Sequence, residues 1–198
     1  MERFFDYKKE IFLILIVMLC LVFLIFENLG NLTGNVTEGS TPSNVSVMNY
    51  IALSSSQSLI NGIQFGTVIY PPFDNLNATH NYDGVGNETT FYLNVSNDTI
   101  SPVDFCIRGS GDLINPIFDA IGLGNETYSN SIITNSTSPF LSNEISLTTI
   151  YVKSQQNVSI GGINYYRFWL DLPSDQSNGN YNNTIFLKAV LSGNPCYY

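Results

Sequence analysis

Apolar and polar side chains alternate along much of this chain. In Thr89–Val95, Phe91, Leu93 and Val95 share one face, and Thr90, Tyr92 and Asn94 share the other. A period of two is the signature of a half-buried strand. The same pattern groups Tyr166, Phe168 and Leu170 against an outward set of Arg167, Trp169 and Asp171. It groups Ile185, Leu187, Ala189 and Leu191 against Thr184 and Lys188, and it puts Ile63, Phe65 and Ile69 in phase within Gly62–Tyr70. Asn49–Ser54, Val103–Arg108 and Leu147–Lys153 read as further strands. About seven strands between turn-rich segments predict an all-β, two-sheet antiparallel sandwich of Greek-key or jelly-roll-like type. Asp112–Ile121 interrupts the series as a short helix or a loop across a sheet edge, with Pro116 limiting any helix.

Ile11–Phe26 has no alternation at all. Its sixteen residues carry no polar side chain and as a helix would span about 24 Å, a little short of a ~30 Å hydrocarbon core. Snorkelling of Lys9 and local thinning close the gap. Arg3, Lys8 and Lys9 precede the run, which keeps residues 1–10 cytoplasmic and exports the rest. Three fates of the run are open. No alanine occurs before Ala52, so a small-residue cleavage site is missing and an uncleaved signal-anchor, 11–26, is the favoured reading. A cleaved signal is the second. A prepilin-type leader cut before Ile11 is the third, although Glu10 stands where such leaders place a small residue. Cys20 lacks the small neighbours of a lipidation site and reads as a thiol within the anchor helix. Residues 27–47, rich in Asn, Gly, Ser and Thr, form a stalk ahead of a domain at 48–198.

The exported part favours glycosylation. Asn-x-Ser/Thr occurs eleven times, at Asn31, Asn35, Asn44, Asn77, Asn87, Asn94, Asn97, Asn125, Asn135, Asn157 and Asn182. Its composition alone would give roughly five, so several of these asparagines are expected to carry glycans. Asn94 falls on the polar face of its strand. Cys106 and Cys196 are both exported and are expected to form a disulfide. The loop so closed, of about 90 residues, corresponds to ~4–5 kcal/mol in the chain-entropy treatment.

Charge excludes one class of function. Four basic residues face thirteen acids after the anchor, and the whole chain has net charge −9 and a pI near 4.2. A nucleic-acid partner needs a basic face. Catalytic signals are sparse. The one histidine, His80, has no nucleophile motif and reads as a loop side chain. Asp83-Gly-Val-Gly-Asn-Glu88 offers oxygen ligands without EF-hand spacing and reads as a glycine-rich turn. No enzyme activity, metal or cofactor is expected. Tyr165, Trp169, Tyr181, Tyr197 and Tyr198 lie on or beside outward positions, as covering for a low-charge surface or as platforms for sugars and proteins.

Two stretches carry a resemblance. Asp171-Leu172-Pro173, Gly179, Tyr181 and Thr184–Ala189 are similar to a hairpin of secreted β-sandwich domains. Ala52–Ser54 followed by Gly62–Val68 resembles the first two strands of TasA/camelysin-type surface domains, which are similar to subunits of archaeal threads and bundling pili. About a third of the chain is covered. The resemblance implies a jelly-roll-like sandwich that polymerises by strand donation. Those subunits normally lose the signal segment, whereas this chain is read as keeping it. Asn44–Ala52 is the candidate donor, expected to pair within its own domain while the anchor is retained. The function so implied is a cell-surface glycoprotein, single-pass with its C-terminal domain outside, serving as a structural or filament-type envelope subunit. The alternative is an anchored adhesion module for glycan or another surface protein. The partners are then the membrane through 11–26, further copies of the chain, and other envelope proteins or glycans.

Overall fold

The computed structural model describes residues 51–197. Segments 1–10, 11–26 and 27–47, sequons Asn31, Asn35 and Asn44, most of the donor segment 44–52, and Tyr198 lie outside the described residues. Asn49–Tyr198 forms one unit. Among the described residues no helix is long and apolar enough to cross a membrane.

The described chain is all-β and antiparallel. In order it contains β1 (Leu53–Ser55), α1 (Gln57–Asn61), β2 (Phe73–Asn77), β3 (Tyr92–Val95), β4 (Val103–Gly109), β5 (Leu113–Ile114) and β6 (Ala120–Ile121). These are followed by β7 (Glu126–Ser131), β8 (Ile145–Ser146), β9 (Val152–Val158), β10 (Ile163–Leu172) and β11 (Ile185–Leu191). One sheet runs β1-β3-β10-β7-β8, with β2 also on β10; a second runs β11-β4-β9; β5 and β6 form a small third.

β10 is the spine of the larger sheet. β7 pairs along one side of it, from Tyr165↔Ser131 to Leu170↔Glu126. The other side is shared. β3 takes Ile163–Tyr165, and β2 takes Trp169–Leu172 with a bulge. Between them the β10 backbone still finds partners, as a buried polar backbone must. Tyr166 N–H donates to Phe91 O at 2.9 Å. The buried Asn81 amide takes both groups of Phe168, accepting from its N–H at 3.0 Å and donating to its O at 2.7 Å. One side chain thus substitutes for a strand residue in the gap.

The core lies between the two larger sheets. Leu93 and Val95 of β3, Tyr128 of β7, and Tyr166 and Phe168 of β10 meet Val103, Phe105 and Ile107 of β4, with Ile185, Leu187 and Ala189 of β11 partly buried against them. Alternation groups Leu93 with Val95, Tyr166 with Phe168, and Ile185 with Leu187 and Ala189, and all of these face the core. The β9–β10 turn is pinned to β3, since Gly161 N–H donates to Val95 O and Val95 N–H to Gly162 O, both at 2.9 Å. Gly161 has φ +72°, a conformation that favours glycine.

The structure corrects several expectations. There are eleven strands among the described residues rather than about seven, because five have four residues or fewer. The region 62–70 is not a strand, and β2 follows it instead. The 147–153 strand begins five residues later, at Val152. Asp112–Ile121 is neither helix nor loop but the β5–β6 hairpin. Its turn is closed by the Asn115 carboxamide oxygen, which accepts from Ile117 N–H and Asp119 N–H. The outward face of β10 is not solvated: Arg167 is 0% and Trp169 1% exposed. The Trp169 indole donates to Asn77 Oδ1 at 2.9 Å, which removes it from any surface platform.

Candidate binding groove and its flanking loops

The inner face of β7 is Glu126, Tyr128 and Asn130, because these stand opposite Leu170, Phe168 and Tyr166. At the Glu126 end a second apolar cluster of Leu113, Ile121 and Leu170, with Phe65, Leu76, Leu172 and Tyr181 partly buried against it, floors an open groove of ≈ 780 Å³. One wall is the extended run Ile63–Val68, and the other is the loop 176–183. A smaller recess of ≈ 350 Å³, bounded by Leu59 and Ile60 of α1 and Ile185 and Leu187 of β11, shares Ile63, Glu126 and Asn183 with it.

Glu126 is 2% exposed. Its Oε2 accepts from Asn183 Nδ2 at 2.6 Å. Burial pushes its pKa up to about 6, against the smaller opposing pull of the Asn183 hydrogen bond. The 176–183 wall is organised by Asp119. Its carboxylate accepts from the Ser177 hydroxyl and backbone N–H, from the Tyr181 hydroxyl at 2.5 Å and from Gln176 Nε2 at 2.8 Å. The Ser177 and Tyr181 hydroxyls hold this carboxyl at a pKa of about 2. Sequence reasoning missed Glu126 and Asn183 because both sit inside sequons and were weighed only there.

On the opposite face of the large sheet, Arg167 secures two loops. Its Nε donates to Asn81 O at 2.9 Å, and its Nη1 to Pro139 O at 2.9 Å. Its Nη2 donates to Asn87 O at 3.0 Å and Asn135 O at 2.6 Å. The guanidinium also stacks 4.1 Å from the Tyr82 ring. Among the described residues no carboxylate pairs with it; four carbonyl dipoles replace the counter-ion. Burial lowers its pKa from the ordinary value, with Tyr82 opposing.

These loops carry predicted glycosylation sites. Asn77, Asn87, Asn97, Asn135, Asn157 and Asn182 are exposed, while Asn94 and Asn125 are half-buried. Asn94 is flanked by Ser54 of β1 and Ile163 of β10, and its Oδ1 is buried without a partner. The solvent-side placement expected for it is therefore only partial. Glycopeptide mass spectrometry of the native protein should find Asn94 unoccupied beside occupied exposed sites, and a fully occupied Asn94 would refute this ordering.

The Cys106–Cys196 disulfide is present, with Cα atoms 6.0 Å apart. It fixes the C-terminal segment to the middle strand of the smaller sheet. Asp104 reinforces this join by accepting from Lys153 Nζ at 2.6 Å, Asn157 N–H at 2.8 Å and Gly193 N–H at 3.0 Å. Burial raises the Asp104 pKa, but the lysine and backbone donors together outweigh it and hold the carboxyl below its usual range. His80 is half-buried. It bonds Asp83 at 2.5 Å and meets the Phe91 ring edge-on. Residues 83–88 form a tight turn, with Gly84 N–H on Glu88 O, and among the described residues no three His, Cys, Asp or Glu side chains converge on a metal position. Tyr165 packs on Tyr92, and Tyr197 is exposed.

No known protein family matches the chain, and no curated protein sequence matches it either.

Proposed function

We propose that this protein is a non-enzymatic, glycosylated subunit of the cell envelope. Residues 11–26 anchor it in the membrane while its donor segment pairs within its own domain, and release from the anchor lets the domain outside assemble with further copies by strand exchange. The observation that carries the reading is β1. It is three residues long, exposed at every position, and forms the edge of the larger sheet. It is also the first described strand, directly after the donor segment 44–52. Its partner β3 buries Leu93 and Val95. Displacing β1 would cost few contacts and expose a β3 edge whose other side is already paired to β10. Such an edge is a template for an added strand. Repeated head-to-tail, that contact does not close and gives a filament. The jelly-roll-like topology and the likeness to TasA/camelysin-type subunits belong to the same proposal.

The test uses Glu27–Tyr198 without the anchor. It is expected to form filaments by electron microscopy. Excess peptide Asn44–Ser56 should arrest their growth by occupying the β3 edge, and Ser54→Pro should slow it by removing an N–H from β1. A protein that stays monomeric by light scattering at high concentration overturns strand exchange.

A further inference from the structure

The groove at the end of the sandwich holds a chemical set that strand exchange does not use. Glu126 lies at its floor, and Asn183 is the one hydrogen-bond partner of its carboxylate among the described residues. Neither recess is lined by Lys, Arg or His. A carboxylate buried among Leu113, Ile121 and Leu170 without a cation weakens the fold, where an apolar residue would simply pack. Acids kept in such places are candidates for ligand contact. The rim supplies Gln64, Gln176, Asn178 and Asn180, and each carboxamide offers donors and an acceptor together. Phe65, Leu76 and Leu172 supply an apolar surface beside them. The ≈ 780 Å³ volume falls in the range of about 300–1,000 Å³ typical of small-ligand sites.

The ligand must match these groups. It has to donate a hydrogen bond to a carboxylate and present several neighbouring hydroxyls to the amides. It also needs an apolar face, and it must carry no negative charge, since no cation waits for one. We propose that the groove binds a neutral saccharide, with the Glu126 carboxylate accepting from one sugar hydroxyl and the Gln/Asn rim bonding the others. The site does not depend on β1, so it and strand exchange can fail separately. The sugar has two possible sources. It can be a free or neighbouring glycan, or it can be the chain's own glycan on Asn182, which is exposed and lines the same groove.

The experiment uses the full chain in a sugar-free zwitterionic detergent. The probes are cellotriose, chitotriose and mannotriose, read by saturation-transfer NMR and calorimetric titration. At least one should bind. Glu126→Gln removes the negative charge from the acceptor and should weaken binding by about tenfold, the equivalent of one charge-assisted hydrogen bond. Thr67→Trp, at an exposed wall position, should obstruct the groove and weaken it as much. Melting curves of both variants establish that they are folded. Thr184→Ala removes the Asn182 sequon and separates the sources. Binding in the parent and in Thr184→Ala chains alike supports an external saccharide. Binding that appears only in Thr184→Ala supports the same site filled by the chain's own glycan. The proposal is overturned if no probe binds either chain more tightly than about 1 mM, a free energy near 4 kcal/mol. It is equally overturned if binding is unchanged in both Glu126→Gln and Thr67→Trp.

Discussion

Replacing Arg167 with methionine is expected to remove about 3–5 kcal/mol of stability, the usual loss when a buried charged network is broken. Four backbone carbonyls, of Asn81, Asn87, Asn135 and Pro139, lose their donor at once. Each buried acceptor left without a partner costs about 1–3 kcal/mol, and partial rehydration of the exposed loop ends brings the sum down to that range. Methionine keeps much of the buried stem, so the loss reports the guanidinium rather than a cavity. Lysine is expected to recover little, because a point charge cannot serve four carbonyls spread around a planar fork. Urea denaturation of a chain of residues 27–198 checks the value, and hydrogen exchange checks the cause. Amides in 78–90 and 133–140 should exchange faster in Arg167→Met, while those of β4 and β11 follow only the global change. A loss below about 1 kcal/mol, the scale of a surface substitution, would show that the loops hold without the guanidinium.

Arg167 also marks where the sequence misleads. Alternation reports one wet face and one dry face, and it found the dry face of β3, β10 and β11 correctly. It cannot report a second cover. Two loops lie over the far side of β10, so Arg167 and Trp169 are as buried as Phe168, although their polarity reads as exposure. β7 escaped for the same reason. Glu-Thr-Tyr-Ser-Asn-Ser looks like surface loop, yet its first four residues are buried. Thr127 donates to Glu144 at 2.6 Å and Asn130 to Gln155 at 2.7 Å, so their polar atoms are satisfied by partners distant in sequence. The error at 62–70 has the opposite origin. Ile63 and Phe65 are in phase and do pack on the core, but Gly62 and Gly66 take positive φ, and the run forms a groove wall without a ladder. The disulfide was legible because only Cys106 and Cys196 lie after the apolar run. The groove was not, since it is assembled from residues between 63 and 183 that share no local signal.

The second large effect concerns Glu126 and has a definite sign. Its folded pKa of about 6 lies above the ordinary value of 4.5, so between those values the folded state binds the proton more tightly. Stability from this group is fully present below pH 4.5 and is lost as pH rises through 6. A difference of about 1.5 units corresponds to roughly 2 kcal/mol. Asp104 and Asp119 act oppositely. Their pKa values are lowered, so what they contribute disappears only in stronger acid. Glu126→Gln keeps an acceptor for Asn183 and carries no charge. The variant is therefore expected to be about 2 kcal/mol more stable than the parent at pH 7.5, to converge with it near pH 4.5, and to differ little in more acid solution. Taking the difference between the two chains at each pH cancels every other titrating group. The measurement is urea denaturation of both chains across pH 4 to 8. A gap that stays constant across that range would mean that Glu126 titrates as an ordinary carboxylate. A less stable variant would mean that the charge is compensated within the groove, and the case for a ligand hydroxyl at that position would fall with it.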